Sequence, residues 1–355
     1  MTGLHVLVAR LDSLGDVLLA GPSVRAVRST AERVTFLAGP AGAAAARLLP
    51  GVDEVVVWSS PWTLADPPPV DAADIDDCVR RLAALELDEA VVLTSFHQSA
   101  LPTALLLRLA GVPRITAVSD DYPGSLLDVR VPSPPDAPES ERMLAVCRAA
   151  GFELEPPDDG RLAVRPSPPL PTTAPGRRYV VVHPGTSAPA RSYPADRWPA
   201  VVDALVEHGW DVVLTGSGSE RQLTASITSA AADRDRVHDQ GGRHDLADLG
   251  SVLGRADAVV VANTGPAHLA AAVGTPVVSL FAPVVPVVRW APYGVPVVLL
   301  GDQSAACRGS RARTCPVPGH PCLGSVSASD IVAAVAALAP VPEPALAGAA
   351  PEGSR

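Results

Sequence analysis

The chain has 355 residues, 47% hydrophobic and 19% charged, with a formal net charge of −10. That length suits two domains with separate cores, the acidic balance argues against a nucleic-acid partner because a polyanion needs a basic surface, and no apolar run reaches the length of a membrane-spanning helix. All 28 basic residues are arginine, so chemistry that needs a lysine, whether at a P-loop, a pyridoxal cofactor or a Schiff base, is excluded.

The first half alternates short β-branched runs with helical stretches. Strands are predicted at 4–9, 34–38, 54–57, 89–94 and 114–118, and helices at 16–29, 41–49, 75–85, 98–109 and 140–150. The strands show little polar alternation, as expected when helices cover both faces of a sheet. The chain enters its first strand without a basic region or an apolar leader segment, which predicts a cytoplasmic protein with, at most, peripheral contact at the inner membrane face and no stable insertion.

That first strand runs into Arg10-Leu-Asp-Ser-Leu-Gly-Asp16, a glycine-bearing turn that sets Asp16 where a helix begins. Ligands of open α/β sheets bind at the carboxyl ends of the strands, so Asp16 is aimed at a cleft. It reads either as an acid stabilised by the helix dipole or as a general base, which the same position would keep ionised. Asp12 is a structural acid or an acceptor contact. Ser95-Phe-His97-Gln98-Ser99 ends another strand on the same side, so His97 and Gln98 are candidate contacts to a polar acceptor, or ordinary surface residues. Asp74-Ile-Asp76-Asp77 looks like a metal-binding pair but reads as a helix cap.

Five of the residues between 165 and 178 are proline and one is glycine in Arg-Pro-Ser-Pro-Pro-Leu-Pro-Thr-Thr-Ala-Pro-Gly-Arg-Arg, a density that suits an interdomain linker and no helix or central strand. The pattern then restarts. Strands are predicted at 179–183, 211–215, 236–238, 258–262, 277–281 and 297–300, and helices at 195–208, 220–231, 245–253, 267–273 and 328–338. Residues 340–355 read as a disordered tail. The domains predicted are therefore 1–165 and 178–339, both doubly wound α/β, with a ligand cleft between them.

Three strand-to-helix turns in the second half suit an anion. His183-Pro-Gly-Thr-Ser187 has small residues that let backbone N–H groups approach a phosphate, with the Thr186 and Ser187 hydroxyls and Arg191 at hand, or it merely turns the chain. Asn263-Thr-Gly-Pro-Ala-His268 follows a buried apolar strand, and Pro266 suits a first helical turn. The free N–H groups and the positive end of that helix would face a diphosphate, with Asn263, Thr264, Gly265 and His268 around it; the plain alternative is a capped helix with a packed histidine. Thr215-Gly-Ser-Gly-Ser-Glu220-Arg221 begins like a dinucleotide fingerprint but has Arg221 at the third glycine position. Its Glu220 is a ribose contact or a first-turn acid. Cys307, Cys315, His320 and Cys322 lack the usual spacing of a zinc site, so no metal is expected.

Taken together, in this order, these motifs resemble glycosyltransferase family 9, the ADP-heptose:lipopolysaccharide heptosyltransferases. The carriers are Arg10–Asp16, His183–Ser187, Tyr193-Pro-x-x-x-Trp198, Asn263-Thr-Gly-Pro-x-His268 and the late cysteines before His320-Pro-Cys322. The resemblance implies a GT-B fold, two tandem Rossmann-like domains with the acceptor in the first and a nucleotide sugar in the second. It implies inverting transfer without metal or other cofactor, the nucleotide-diphosphate sugar being a co-substrate and the acceptor a glycan, a lipid-linked molecule or a small molecule. By motif match Asp16 is the base, Thr186 and Ser187 lie in the diphosphate loop, Glu220 faces the ribose, and Thr264 and Gly265 hold the diphosphate. Arg191 stands near a position often lysine in related enzymes, and Asn263 at one often aspartate, beside the donor sugar. A nucleotide-sugar epimerase and a non-catalytic nucleotide-binding protein are the alternative readings.

Overall fold

The computed structural model describes residues 3–64, 66–166 and 178–340. The interdomain linker expected at 165–178 and the tail expected at 340–355 therefore lie almost wholly outside the described residues.

The first lobe runs β1 (His5–Arg10), α1 (Leu14–Leu19), α2 (Gly21–Arg28), β2 (Arg33–Ala38), α3 (Ala43–Leu48), β3 (Glu54–Val57), α4 (Ala72–Ala83), β4 (Glu89–Val92), α5 (Leu101–Leu109), β5 (Arg114–Val118), β6 (Val129–Val131) and α6 (Glu139–Ala150). The second runs β7 (Tyr179–His183), α7 (Trp198–Glu207), β8 (Asp211–Leu214), α8 (Arg221–Ala230), β9 (Val237–Asp239), α9 (Leu246–Leu253), β10 (Ala258–Ala262), α10 (Gly265–Ala272), β11 (Val277–Leu280), α11 (Val287–Trp290), β12 (Val297–Leu300), α12 (Pro321–Gly324) and α13 (Ala328–Leu338).

Both lobes hold a six-stranded sheet, in the orders β3-β2-β1-β4-β5-β6 and β12-β11-β10-β7-β8-β9. Among the described residues every strand pairing is parallel, with Val8 beside Phe36 and Val91, and Val260 beside Val278 and Val182. Counted within its own lobe, each sheet has the same winding, and the strand order reverses between the first and fourth strands. Such reversals open a crevice at the strand ends. One falls between β1 and β4, the other between β7 and β10.

Helices cover both faces of each sheet, which is why the strands are apolar throughout. One apolar cluster continues from Val8 and Phe36 in the first lobe, through Val17 and Leu18 of α1, to Leu269 and Val259 in the second. The lobes are joined where α1 packs on α10.

Several expected boundaries move. The helix expected at 16–29 starts at Leu14 and breaks at Ala20, because Pro22 has no N–H for the helical ladder. Asp16 thus sits in a first turn. The acidic cap of α4 is Asp71, which accepts from the Ala73 N–H at 3.0 Å; Asp74, expected in that role, instead accepts the Trp58 indole N–H at 2.9 Å. The edge strand β6 and the short helices α11 and α12 are additions.

Candidate functional site

The four loops that leave β1, β4, β7 and β10 meet at the two crevices. Arg10, the last residue of β1, is completely buried. Its guanidinium donates to Ser95 Oγ at 2.8 Å and Asp16 Oδ1 at 3.1 Å, and pairs with Asp12 at 2.9 Å and Glu139 at 3.7 Å. A buried cation needs such a shell, since removing it from water is costly.

Of the three acids in this shell Asp16 is the most exposed. Ser13 Oγ donates to its Oδ2 at 2.7 Å, and Trp290 Nε1, from the second lobe, donates to Oδ1 at 3.2 Å. Burial pushes the carboxyl up, but Arg10, the Ser13 and Trp290 hydrogen bonds and His268 outweigh it and hold the pKa below the ordinary aspartate value. Asp16 is a carboxylate at neutral pH.

Across the interface, a Cβ built on Gly15 would lie 2.7 Å from His268 Cδ2, and one built on Gly265 would lie 2.5 Å from Leu14 Cδ2. The start of α1 and the start of α10 therefore face each other in close contact. His268 is buried, and that burial, aided by Arg191 and opposed by Asp16, lowers its pKa to about 4. The Arg191 guanidinium donates to the Asn263 carbonyl at 3.5 Å. Thr264 caps α10 without a side-chain hydrogen bond. Arg191 Nε, His268 Nδ1 and both amide atoms of Asn263 are buried without a hydrogen-bond partner. Buried polar atoms are rarely left in that state, and both Arg191 and His268 lie within electrostatic reach of Asp16 and of each other.

The other expected residues are placed differently. The Thr186 hydroxyl donates to the Ala188 carbonyl at 2.8 Å and lies 2.9 Å from Ser192 Oγ, so its proton is already committed; Ser187 is exposed. Glu220 folds back as a cap, accepting from the Ser217 N–H at 2.7 Å, with its carboxylate 4.0 Å from His183 Nε2. It overlies Gly185, where a Cβ would lie 1.9 Å from Glu220 Oε1. Gln98 Nε2 donates to Asp12 Oδ1 at 2.5 Å and Gln98 Oε1 accepts from the Ser95 N–H at 3.1 Å. Asp12 and Gln98 thus support Arg10 and each other. His97 is exposed, with its ring edge-on to Phe96 at 5.4 Å.

Sequence reading missed Arg10, Glu139, Arg289 and Trp290 as a group. Arg289 donates to Asp136 at 2.6 Å, lies 3.9 Å from Glu139, and stacks over Phe96 at 4.5 Å. The one available signal was the Arg at the end of a strand that should be wholly apolar.

Cys307 and Cys322 are buried, and burial pushes the Cys322 thiol up to about 11. Among the described residues no three His, Cys, Asp or Glu side chains are grouped to hold a metal ion, and no helix is long and apolar enough to cross a membrane. A cavity of about 310 Å³ lies behind the far end of α10, lined by Leu48, Val164, Leu246, Gly250, Ala272 and Val273. It is away from Asp16 and is not part of this site.

Residues 78–320 match the model of glycosyltransferase family 9 (heptosyltransferase). The chain belongs to this family. It is 30% identical over 170 residues to lipopolysaccharide heptosyltransferase 3 of Escherichia coli, covering 46% of this chain and 48% of that protein. It is 35% identical over 146 residues to lipopolysaccharide heptosyltransferase 1 of Pseudomonas aeruginosa, covering 40% and 38%. The matches thus span less than half the length of these family-9 relatives. The structure resembles E. coli ADP-heptose lps heptosyltransferase II, with a TM-score of 0.72 at 18% identity over 94% of this chain and 98% of the other. It also resembles E. coli heptosyltransferase WaaC with ADP, with a TM-score of 0.67 at 18% identity over 95% and 100%. The fold is GT-B.

Proposed function

We propose that this family-9 protein is an inverting, metal-independent glycosyltransferase that moves a heptose from ADP-heptose to an acceptor hydroxyl of a glycan, a lipid-linked molecule or a small molecule. The observation that carries this reading is the meeting of an ionised Asp16 with Arg191, His268, Asn263 and the start of α10 across the lobe interface. One group suits a base, the other a departing anion.

In the reaction, Asp16 takes the proton of the acceptor hydroxyl, whose oxygen attacks the anomeric carbon. The bond from that carbon to the diphosphate breaks, and the electron pair leaves with ADP. A single in-line displacement inverts the anomeric configuration. Arg191 and the free N–H groups at the start of α10 supply the counter-charge that a divalent metal provides in other transferases. A neutral His268 adds a hydrogen bond. Removing one such preorganised donor typically costs ~10²–10³ in kcat, so Arg191→Ala should fall in that range, and a chelator should leave the wild-type rate unchanged.

The test has two parts. Thermal melts with ADP, UDP, GDP and dTDP should show the largest stabilisation with ADP, since a ligand of the folded state raises stability by RT ln(1 + [L]/Kd). Asp16→Asn should keep that ADP shift while release of ADP from ADP-heptose is abolished. Isomerised sugar formed from the donor alone, or wild-type turnover in Asp16→Asn, overturns the proposal.

A further inference from the structure

The two oxygens of Asp16 are not equivalent. Oδ1 accepts two strong donors, Arg10 Nη2 at 3.1 Å from its own lobe and Trp290 Nε1 at 3.2 Å from the other. Among the described residues Oδ2 accepts only the Ser13 hydroxyl, at 2.7 Å. Charge-assisted hydrogen bonds fix a carboxylate firmly and use up the lone pairs they engage. A hydroxyl from Ser13 rotates freely and can be displaced by another hydroxyl.

We infer that Trp290 is a positioning residue, and that by filling Oδ1 together with Arg10 it turns Oδ2 toward the cleft as the atom that receives the acceptor's proton. This rests on the reading of Asp16 as the base. The step balances as written above: the proton moves to Oδ2, the new bond forms between the acceptor oxygen and the anomeric carbon, and the leaving electron pair goes to the diphosphate. Ser13 holds Oδ2 until the acceptor arrives.

Trp290 is well braced for this. Its ring lies 5.9 Å from Phe96, tilted 53°, and its neighbour Arg289 anchors the same turn to Asp136 and to the Phe96 ring. The indole is half-buried and belongs to the last residue of α11, the short helix that follows β11 in the second lobe. Because it belongs to the second lobe, the base is aimed only while the lobes are together.

The contact can be read without any substrate. The chain has five tryptophans, hence five indole N–H resonances in a proton–nitrogen NMR spectrum. Trp290→Phe deletes one and identifies it. Asp16→Asn, which weakens the acceptor, should move that resonance selectively; if it stays still, the proposed contact is absent in solution and the inference falls.

Turnover is then followed as ADP release from ADP-heptose. Trp290→Phe keeps the apolar packing and loses the donor; Trp290→His loses bulk and keeps an N–H. The expected order of kcat is wild type, then His, then Phe. Phe should lie about ten-fold to a hundred-fold below wild type, the range for losing a hydrogen bond to a charged group, with ADP affinity within about two-fold of wild type. Phe at the wild-type rate, or Phe faster than His, overturns the inference and assigns Trp290 to packing. Loss of ADP binding in Phe also overturns it. If Asp16→Asn turns over normally, the underlying assignment of the base has failed instead, whatever Trp290 does.

Discussion

A histidine kept neutral by burial has a cost that shows at low pH. His268 has a folded pKa of about 4 against an ordinary 6.5, so the unfolded chain binds its proton first as pH falls. Stability is full above pH 6.5 and declines as the pH drops toward 4, by about 2–3 kcal/mol at pH 4.5. Urea unfolding at pH 7 and pH 4.5 should show that loss in the wild type and a smaller one in His268→Gln. Equal acid sensitivity in the two proteins would mean that the ring titrates normally when folded. At this scale the sequence singles out Asp16, Arg191, Asn263, Gly265 and His268 as residues in or just after strand-end turns, and the structure sets the start of α1 against the start of α10, with Arg191 beside Asn263. It was unreadable where a side chain turns back into the protein. Nothing local distinguishes a Gln98 that reaches Asp12 from one that faces a ligand, or a Thr186 whose proton is committed to Ala188 from one that is free.

Between elements, the contact that builds the site is α1 on α10, and it depends on missing side chains. Gly15→Ala would press a methyl to 2.7 Å from the His268 ring, with the Gly265 Cα at 3.5 Å behind it. A buried ring cannot swing away as a side-chain end can, so the helices must part, at about 1–3 kcal/mol. In Gly265→Ala the new methyl meets the end of the Leu14 side chain, which can rotate. Ligand-free melts should therefore rank Gly15→Ala clearly below Gly265→Ala; the opposite order would sink this account of the packing. Glu220 acts at the same scale. Its carboxylate accepts from the N–H of Ser217 and, at 2.8 Å, from its hydroxyl, so Glu220→Ala should cost about 1 kcal/mol of stability before any nucleotide is added, whereas Glu220→Gln should retain most of it. The elements themselves were legible because buried parallel strands are written as β-branched runs between glycine-bearing turns. The strand β6 escaped because three residues followed by Pro132, on a sheet edge, carry no periodicity. The turn with Arg289 and Trp290 escaped because it follows Pro283 and Pro286 and takes its meaning only from docking on the other lobe.

The whole molecule is two copies of one winding, set with their crevices face to face, and the same arrangement that joins the lobes also completes the site. The shared core through α1 and α10 supplies most of the adhesion. The polar links at its rim are weaker and more easily dissected. Arg289 is the clearest of them: it ties the second lobe to Asp136, Glu139 and Phe96 of the first. Asp136 is 66% exposed on its side chain, so that pair contributes no more than about 1 kcal/mol and is screened by salt. The stacking on Phe96 adds roughly 0.5–1 kcal/mol. Glu139 keeps Arg10 and Arg142 when Arg289 is removed, so no buried charge is stranded. Arg289→Ala should accordingly lower the melting temperature only slightly, by a few degrees at most. Its larger effect should be on how the lobes sit. Small-angle scattering of the nucleotide-free variant should give a larger radius of gyration than the wild type, and ADP, gripping Arg191 and α10 beside the interface, should narrow the difference. Raising the salt should move the wild type toward the variant, because the same ion pair is being weakened by another route. Scattering curves that superimpose at every salt concentration would show that the apolar contact between α1 and α10 alone sets the lobe arrangement.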